Sequence, residues 1–337
     1  MEQGDLPHLA RQFLIHLGSV SGPIYENDSE RASICETMFN GMMMGVIATR
    51  HPHLVGLGQP PPNDDDDEVA ERRGRELLDW CQLLLRTVSN YQLRVLACIG
   101  DPVGFVRNFA CLTRGVCKVA GAATPDGSAQ AVALESLDHL MDTWVVLLTD
   151  PAVEDAETGN LGGDAADQAV MAVVAALKEE ASGVFEEVVL QRLHMAEAVI
   201  IAGIDDSDEH EDPTLLVDKM QAAACVARAN PQPAMALLQQ LIEGNVAKTS
   251  SPDARIELIH EELFWLILFT GTSAPFLDQE HRAQHVTMMS HEDMVHPSSN
   301  GLHIPPAPSP SSISTPCLHP HISIEKHYHA RIHVSRT

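Results

Sequence analysis

Aromatic residues are scarce, at 4% of the chain. Any core must therefore be built from Leu, Val, Ala, Ile and Met, and few β-branched or aromatic clusters are available to make strands. No basic cluster occurs either. Net charge is −26 over 337 residues. The residues after Thr272 hold 4 Lys+Arg and 5 Asp+Glu, so nearly all of the excess, −25, falls on residues 1–272. An acidic body excludes the basic stripe that nucleic acid requires and repels anionic lipid surfaces. It suits basic protein partners, although solubility alone accounts for much acidic charge. No nuclear localisation signal is visible.

Long apolar runs are also missing. Runs such as Leu263 to Phe269 fall well short of the ~18 residues of a membrane span. The first ten residues, MEQGDLPHLA, lack a basic stretch followed by an apolar one, so no secretory signal is expected. The seven cysteines are odd in number and show no CxxC spacing. Reduced, buried thiols in a cytosolic or nuclear protein are expected.

Catalytic signatures are absent too. HEELF at 260–264 begins like the zinc-protease HExxH but has Phe264 where the second ligand belongs. His291 and His296 are one residue too far apart for a two-ligand helical face. GLGQPP turns to proline where a dinucleotide loop would enter a helix. No phosphate loop, kinase signature or GxSxG elbow is present. The tail histidines His319, His321, His327, His329 and His333 lie in a Pro-rich stretch that fixes no ligand geometry. No cofactor, metal or catalytic residue is expected. Met42, Met43 and Met44 read as core packing.

What is present is helical periodicity. Leu6, Leu9, Phe13, Leu14 and Leu17 fall at helical spacing over 6–18. A helix over 30–50 is expected to place Ile34, Met38, Met42, Gly45 and Ile47 on one face. A strong helix follows over 68–89, with Leu77, Trp80, Leu84 and Leu85 inward. Residues 91–121 divide into two shorter helices near Gly100-Asp101-Pro102. Residues 128–149 form another, with Leu134, Leu137, Leu140, Met141, Trp144 and Leu147 on its seam. An acidic, Gly-rich loop leads to 164–202, read as one long helix or two. Helices over 213–229, 231–247 and 253–270 complete the series, with Pro231, Pro233 and Pro252 at their starts.

Some ten helices of ~12–22 residues, paired with a period of about 40–50 residues, predict an all-α fold: a HEAT-like or armadillo-like solenoid over 1–272 rather than a globular bundle. Residues 273–337 carry 8 of the 21 prolines and 10 of the 18 histidines and read as a disordered tail. In the acidic run before residue 213, Asp205, Asp206, Asp208 and Glu209 are the candidate contacts for a basic partner, with a solvated linker as the blander reading.

Four stretches resemble the importin-β (karyopherin) superfamily: SVSGPIYENDSERASICETMFNGMMMGV (19–46), ALESLDHLMDTWVVLLTD (133–150), VFEEVVLQRLHMA (184–196) and IELIHEELFWLILFTG (256–271). The resemblance runs through most of 1–272 and stops there. It implies a HEAT-repeat superhelix that carries cargo proteins out of the nucleus with Ran-GTP, moving between nucleus and cytoplasm and meeting nuclear pore proteins. Members of that superfamily are far longer. A HEAT-type regulatory scaffold outside transport, and a truncated product without function, remain the alternatives. The helix at 256–270 is expected to start with Glu257, His260, Glu261 and Glu262 outward. Further along it is apolar all round, so Trp265 and Phe269 are expected to need cover from a following repeat.

Overall fold

Proline and aspartate set several helix starts. Asp101 accepts a hydrogen bond from the Gly104 amide at 2.8 Å, with Pro102 at the first helical position. Asp150 caps two helices at once: one oxygen accepts from the Ala152 amide and the other from the Leu93 amide, both at 2.9 Å. The computed structural model describes residues 5–18, 67–122, 128–202, 213–250 and 255–273, with isolated residues 30, 33 and 37. They lie in one compact unit, Met1–Ala283.

Among the described residues the secondary structure is helical, without strands. The helices are α1 (Asp5–Gly18), α2 (Asp67–Asn90), α3 (Leu93–Leu96), α4 (Pro102–Gly121), α5 (Ser128–Leu148), α6 (Pro151–Thr158), α7 (Ala165–Ala202), α8 (Pro213–Ala229), α9 (Pro231–Lys248) and α10 (Ile256–Ser273). The break near Gly100 and the strong helices agree with the periodicity. Residues 164–202 resolve into one helix. Residues 151–158, expected as loop, are helical. Asp150 and Pro151 supply the start, and Gly159 at φ 71 supplies the left-handed stop that glycine tolerates. The last helix starts at Ile256 rather than 253. Most of the helix expected over 30–50, Met42 to Met44 included, lies outside the described residues.

Side chains fix how the helices meet. Gly74 faces Val132, and Cys81 lies beside Ser136, so α2 and α5 run in the same direction. Arg114 pairs with Glu180 at 3.0 Å, Lys118 with Glu187 at 3.1 Å, and Gly121 meets Gln191, so α4 and α7 are parallel as well. Arg114 and Glu180 are 66 residues apart, a longer step than the expected 40–50. Between these stacks, α4 and α5 form an antiparallel pair. Phe109 stacks on Trp144 at 4.9 Å, Trp144 Nε1 donates to Thr113 Oγ1 at 3.1 Å, and Gln130 donates to the Ala120 carbonyl. Equivalent helices stacked in parallel, with antiparallel neighbours, are compatible with a helical repeat.

At 38 residues, α7 is the longest of these helices, and α3, α4, α6, α8, α9 and α10 all pack on it. Val173, Leu177, Ala181, Val184, Phe185 and Val189 bury completely along it. Arg94 ties the short helices to its start, donating to Asp155 at 3.1 Å and to Asp167 at 2.9 Å. No described helix is long and apolar enough to cross a membrane.

Two expectations about the terminal helices are corrected. On α1, Leu9, Phe13 and Leu17 face outward, Phe13 being 66% exposed, while Ile15 is buried. A buried carboxylate decides the rotation. Asp79 of α2 accepts from Arg11 Nε and Gln12 Nε2 at 2.8 Å and bonds His8 Nδ1 at 2.9 Å, so the polar side of α1 turns inward. On α10, Trp265 and Phe269 are already covered by α7: Phe269 meets Phe185 edge-on, and Arg192 sits 3.7 Å over the Trp265 ring. Glu262, expected outside, is buried and bonds Lys248 at 2.8 Å. The apolar residues left exposed are Phe264, Ile267 and Ile256.

Burial also separates the cysteines. It pushes the Cys81 and Cys117 thiols up to about 12, whereas Cys98 and Cys111 are exposed. Reagent at pH 8 is expected to alkylate Cys98 and Cys111 in the native chain and to reach Cys81 and Cys117 only after unfolding, as read by peptide mass spectrometry.

Candidate interaction surface

Close approach of two backbones borders a concavity. At the end of α4, Gly121 lies so near α7 that a Cβ there would stand 3.1 Å from Gln191 Cα and 3.3 Å from its carbonyl oxygen. Beside this contact an open trough of about 670 Å³ is lined by Cys117 and Lys118 of α4, by Ala122 just after it, and by Glu187, Leu190, His194, Glu197, Ala198 and Ile201 of α7. A second hollow of about 480 Å³ shares Ile201 and adds Ile200, Arg255, Ile256 and Glu257, so the surface continues from the end of α7 to the start of α10.

The chemistry of this surface is apolar with polar edges. Leu190, Ala198 and Ile201 follow helical spacing along α7, and Ile201 is 61% exposed. Lys118 is occupied by Glu187. The last turn of α7 has no basic residue to offset the negative pole of its aligned peptide dipoles. Among the described residues, no group of three or more His, Cys, Asp or Glu could hold a metal ion. His260 and Phe264 of the HEELF string are both exposed. His139 is buried with its Nδ1 unbonded, and that burial, aided by Arg86, lowers its pKa, but it lines neither hollow.

The candidate residues Asp205, Asp206, Asp208 and Glu209 lie outside the described residues, as do the tail histidines. The trough was not read from the sequence. Its walls come from distant segments, and the one local signal was Gly121 at the end of an apolar helix.

Glycine contacts give a direct test of the α4–α7 approach. Gly121→Ala is expected to cost about 1–2 kcal/mol, overpacking outweighing the ~1 kcal/mol propensity gain. Gly244 on α9 has nothing within 4 Å of an added Cβ, so Gly244→Ala is expected to stabilise by up to ~1 kcal/mol. Urea denaturation of the two variants checks the opposite signs.

The described residues form a helical fold with an open trough of mixed apolar and polar lining. Comparison with known proteins adds no relative: no family model, no curated protein and no solved structure matches the chain.

Proposed function

We propose that the chain is a non-enzymatic protein-binding scaffold, a HEAT-like helical-repeat solenoid of the nuclear export receptor class and of the exportin-4 type. In this reading it carries cargo proteins from nucleus to cytoplasm with Ran-GTP. The observation that supports it most is the parallel stacking of α2 on α5 and of α4 on α7, through Gly74–Val132, Arg114–Glu180 and Lys118–Glu187. Stacked repeats leave long side surfaces for protein partners. The string IELIHEELFWLILFTG adds the family resemblance. Cargo and Ran-GTP binding are then linked reciprocally, each strengthening the other. The acidic positions Asp205, Asp206, Asp208 and Glu209 are the proposed contacts for basic surfaces of a partner.

A pull-down with immobilised full chain, offered Ran loaded with a non-hydrolysable GTP analogue or with GDP, tests this reading. Retention of the GTP form alone is expected. Retention of neither form, or of both equally, contradicts transport and leaves a regulatory scaffold or a product without transport function.

A further inference from the structure

We propose that the trough along the C-terminal half of α7 docks a helical segment of a partner protein, apolar on one face and rich in Lys and Arg beside it. This deepens the reading above and rests only on its protein-binding part.

Shape and charge both select that occupant. Leu190, Ala198 and Ile201 lie along the first hollow with His194 and Glu197 between them, and Ile200 and Ile256 continue the apolar positions in the second. Apolar positions spaced this way along one helix accept the i, i+3/i+4 and i+7 anchors of another. An extended strand would need a row of unpaired backbone groups along the wall, and the body of a helix offers none. Ile201 at 61% exposure and Ile256 at 48% are the natural anchor contacts, because burying them returns the most apolar area.

Charge then sets the composition beside the anchors. Glu197 and Glu257 line the two hollows, while Lys118 is already paired with Glu187. Arg255 is the basic residue of the second hollow. The negative end of α7, without a basic residue in its last turn, adds to the two carboxylates. An acidic helix would meet like charge here and within a chain of net charge −26. A basic one gains affinity and encounter rate.

The test uses the full chain and a fluorescein-labelled 18-residue Leu/Lys peptide whose leucines form one helical face. Two controls accompany it: a scramble of the same composition, and a Leu/Glu version. Fluorescence anisotropy at about 0.15 M salt limits bulk attraction. The amphipathic Leu/Lys helix is expected to bind at least about tenfold more tightly than either control. Ile201→Arg and the pair Glu197→Lys/Glu257→Lys are each expected to weaken it about tenfold or more. The pair Glu154→Lys/Glu179→Lys makes the same charge change at exposed positions that do not line the trough and is expected to change binding less than about twofold. Circular dichroism confirms that each variant is folded. Equal binding of the scramble, equal weakening by the remote pair, or no effect of the trough variants would overturn the proposal. Ran is absent from this assay, so failure here and failure of nucleotide-dependent Ran binding are separate outcomes.

Discussion

Trp144→Ala is expected to lower the free energy of unfolding by about 4 kcal/mol, the cost of emptying a large aromatic site. Trp144 is fully buried, stacks on Phe109 and donates its indole N–H to Thr113. These contacts hold α4 against α5, the antiparallel pair that joins the two parallel stacks. Thr113→Val keeps the shape but strands the indole donor, and is expected to cost about 1–3 kcal/mol. Urea unfolding followed by circular dichroism measures both. Similar small losses for the two variants would mean that the pair is not packed as described.

Asp79→Ala is expected to release α1 at a cost of about 3 kcal/mol. The carboxylate is buried and receives Arg11, Gln12 and His8 from one helix. Removing it leaves the Arg11 guanidinium, only 12% exposed, without its counter-charge. Ile15 and Leu14 alone are left to compensate among the described apolar residues Leu9, Phe13, Leu14, Ile15 and Leu17, because Leu9, Phe13 and Leu17 face away. Limited proteolysis is expected to cut within 5–18 of the variant well before the other described helices, whereas α1 of the parent resists. Unchanged protection of α1 would show that Ile15 and Leu14 suffice to hold it.

These two sites also show where sequence reasoning worked and where it stopped. The seam of α5 was legible, because Leu137, Leu140, Met141, Trp144 and Leu147 repeat at helical spacing and all are buried. On α2 the spacing found Leu77 and Leu84 but not Leu83, which is equally inside. On α1 periodicity marked Leu14, which packs on the core, together with Leu9, Phe13 and Leu17, which do not, since spacing cannot register one buried Asp79 on another helix 68 residues beyond Arg11. On α10 the all-apolar end looked in need of an absent neighbour, yet Phe185 and Arg192, far back in the chain, supply the cover. The helix at 151–158 was missed although Asp150 and Pro151 announced it, because eight residues with little apolar pattern read as loop. The trough was not legible. It depends on the distance between Gly121 and Gln191, and the acidic run Asp205 to Glu209 drew attention by charge alone.

The account depends most on α7 acting as one continuous helix to which α4, α8, α9 and α10 attach. Native-state hydrogen exchange of the full chain measures this directly. The amides from Val173 through Leu193 are expected to exchange slowest and together, with a common dependence on denaturant equal to that of global unfolding. If the segments on either side of Ser182-Gly183 instead open independently with different free energies, α7 is two units and the helix packing described here is contradicted.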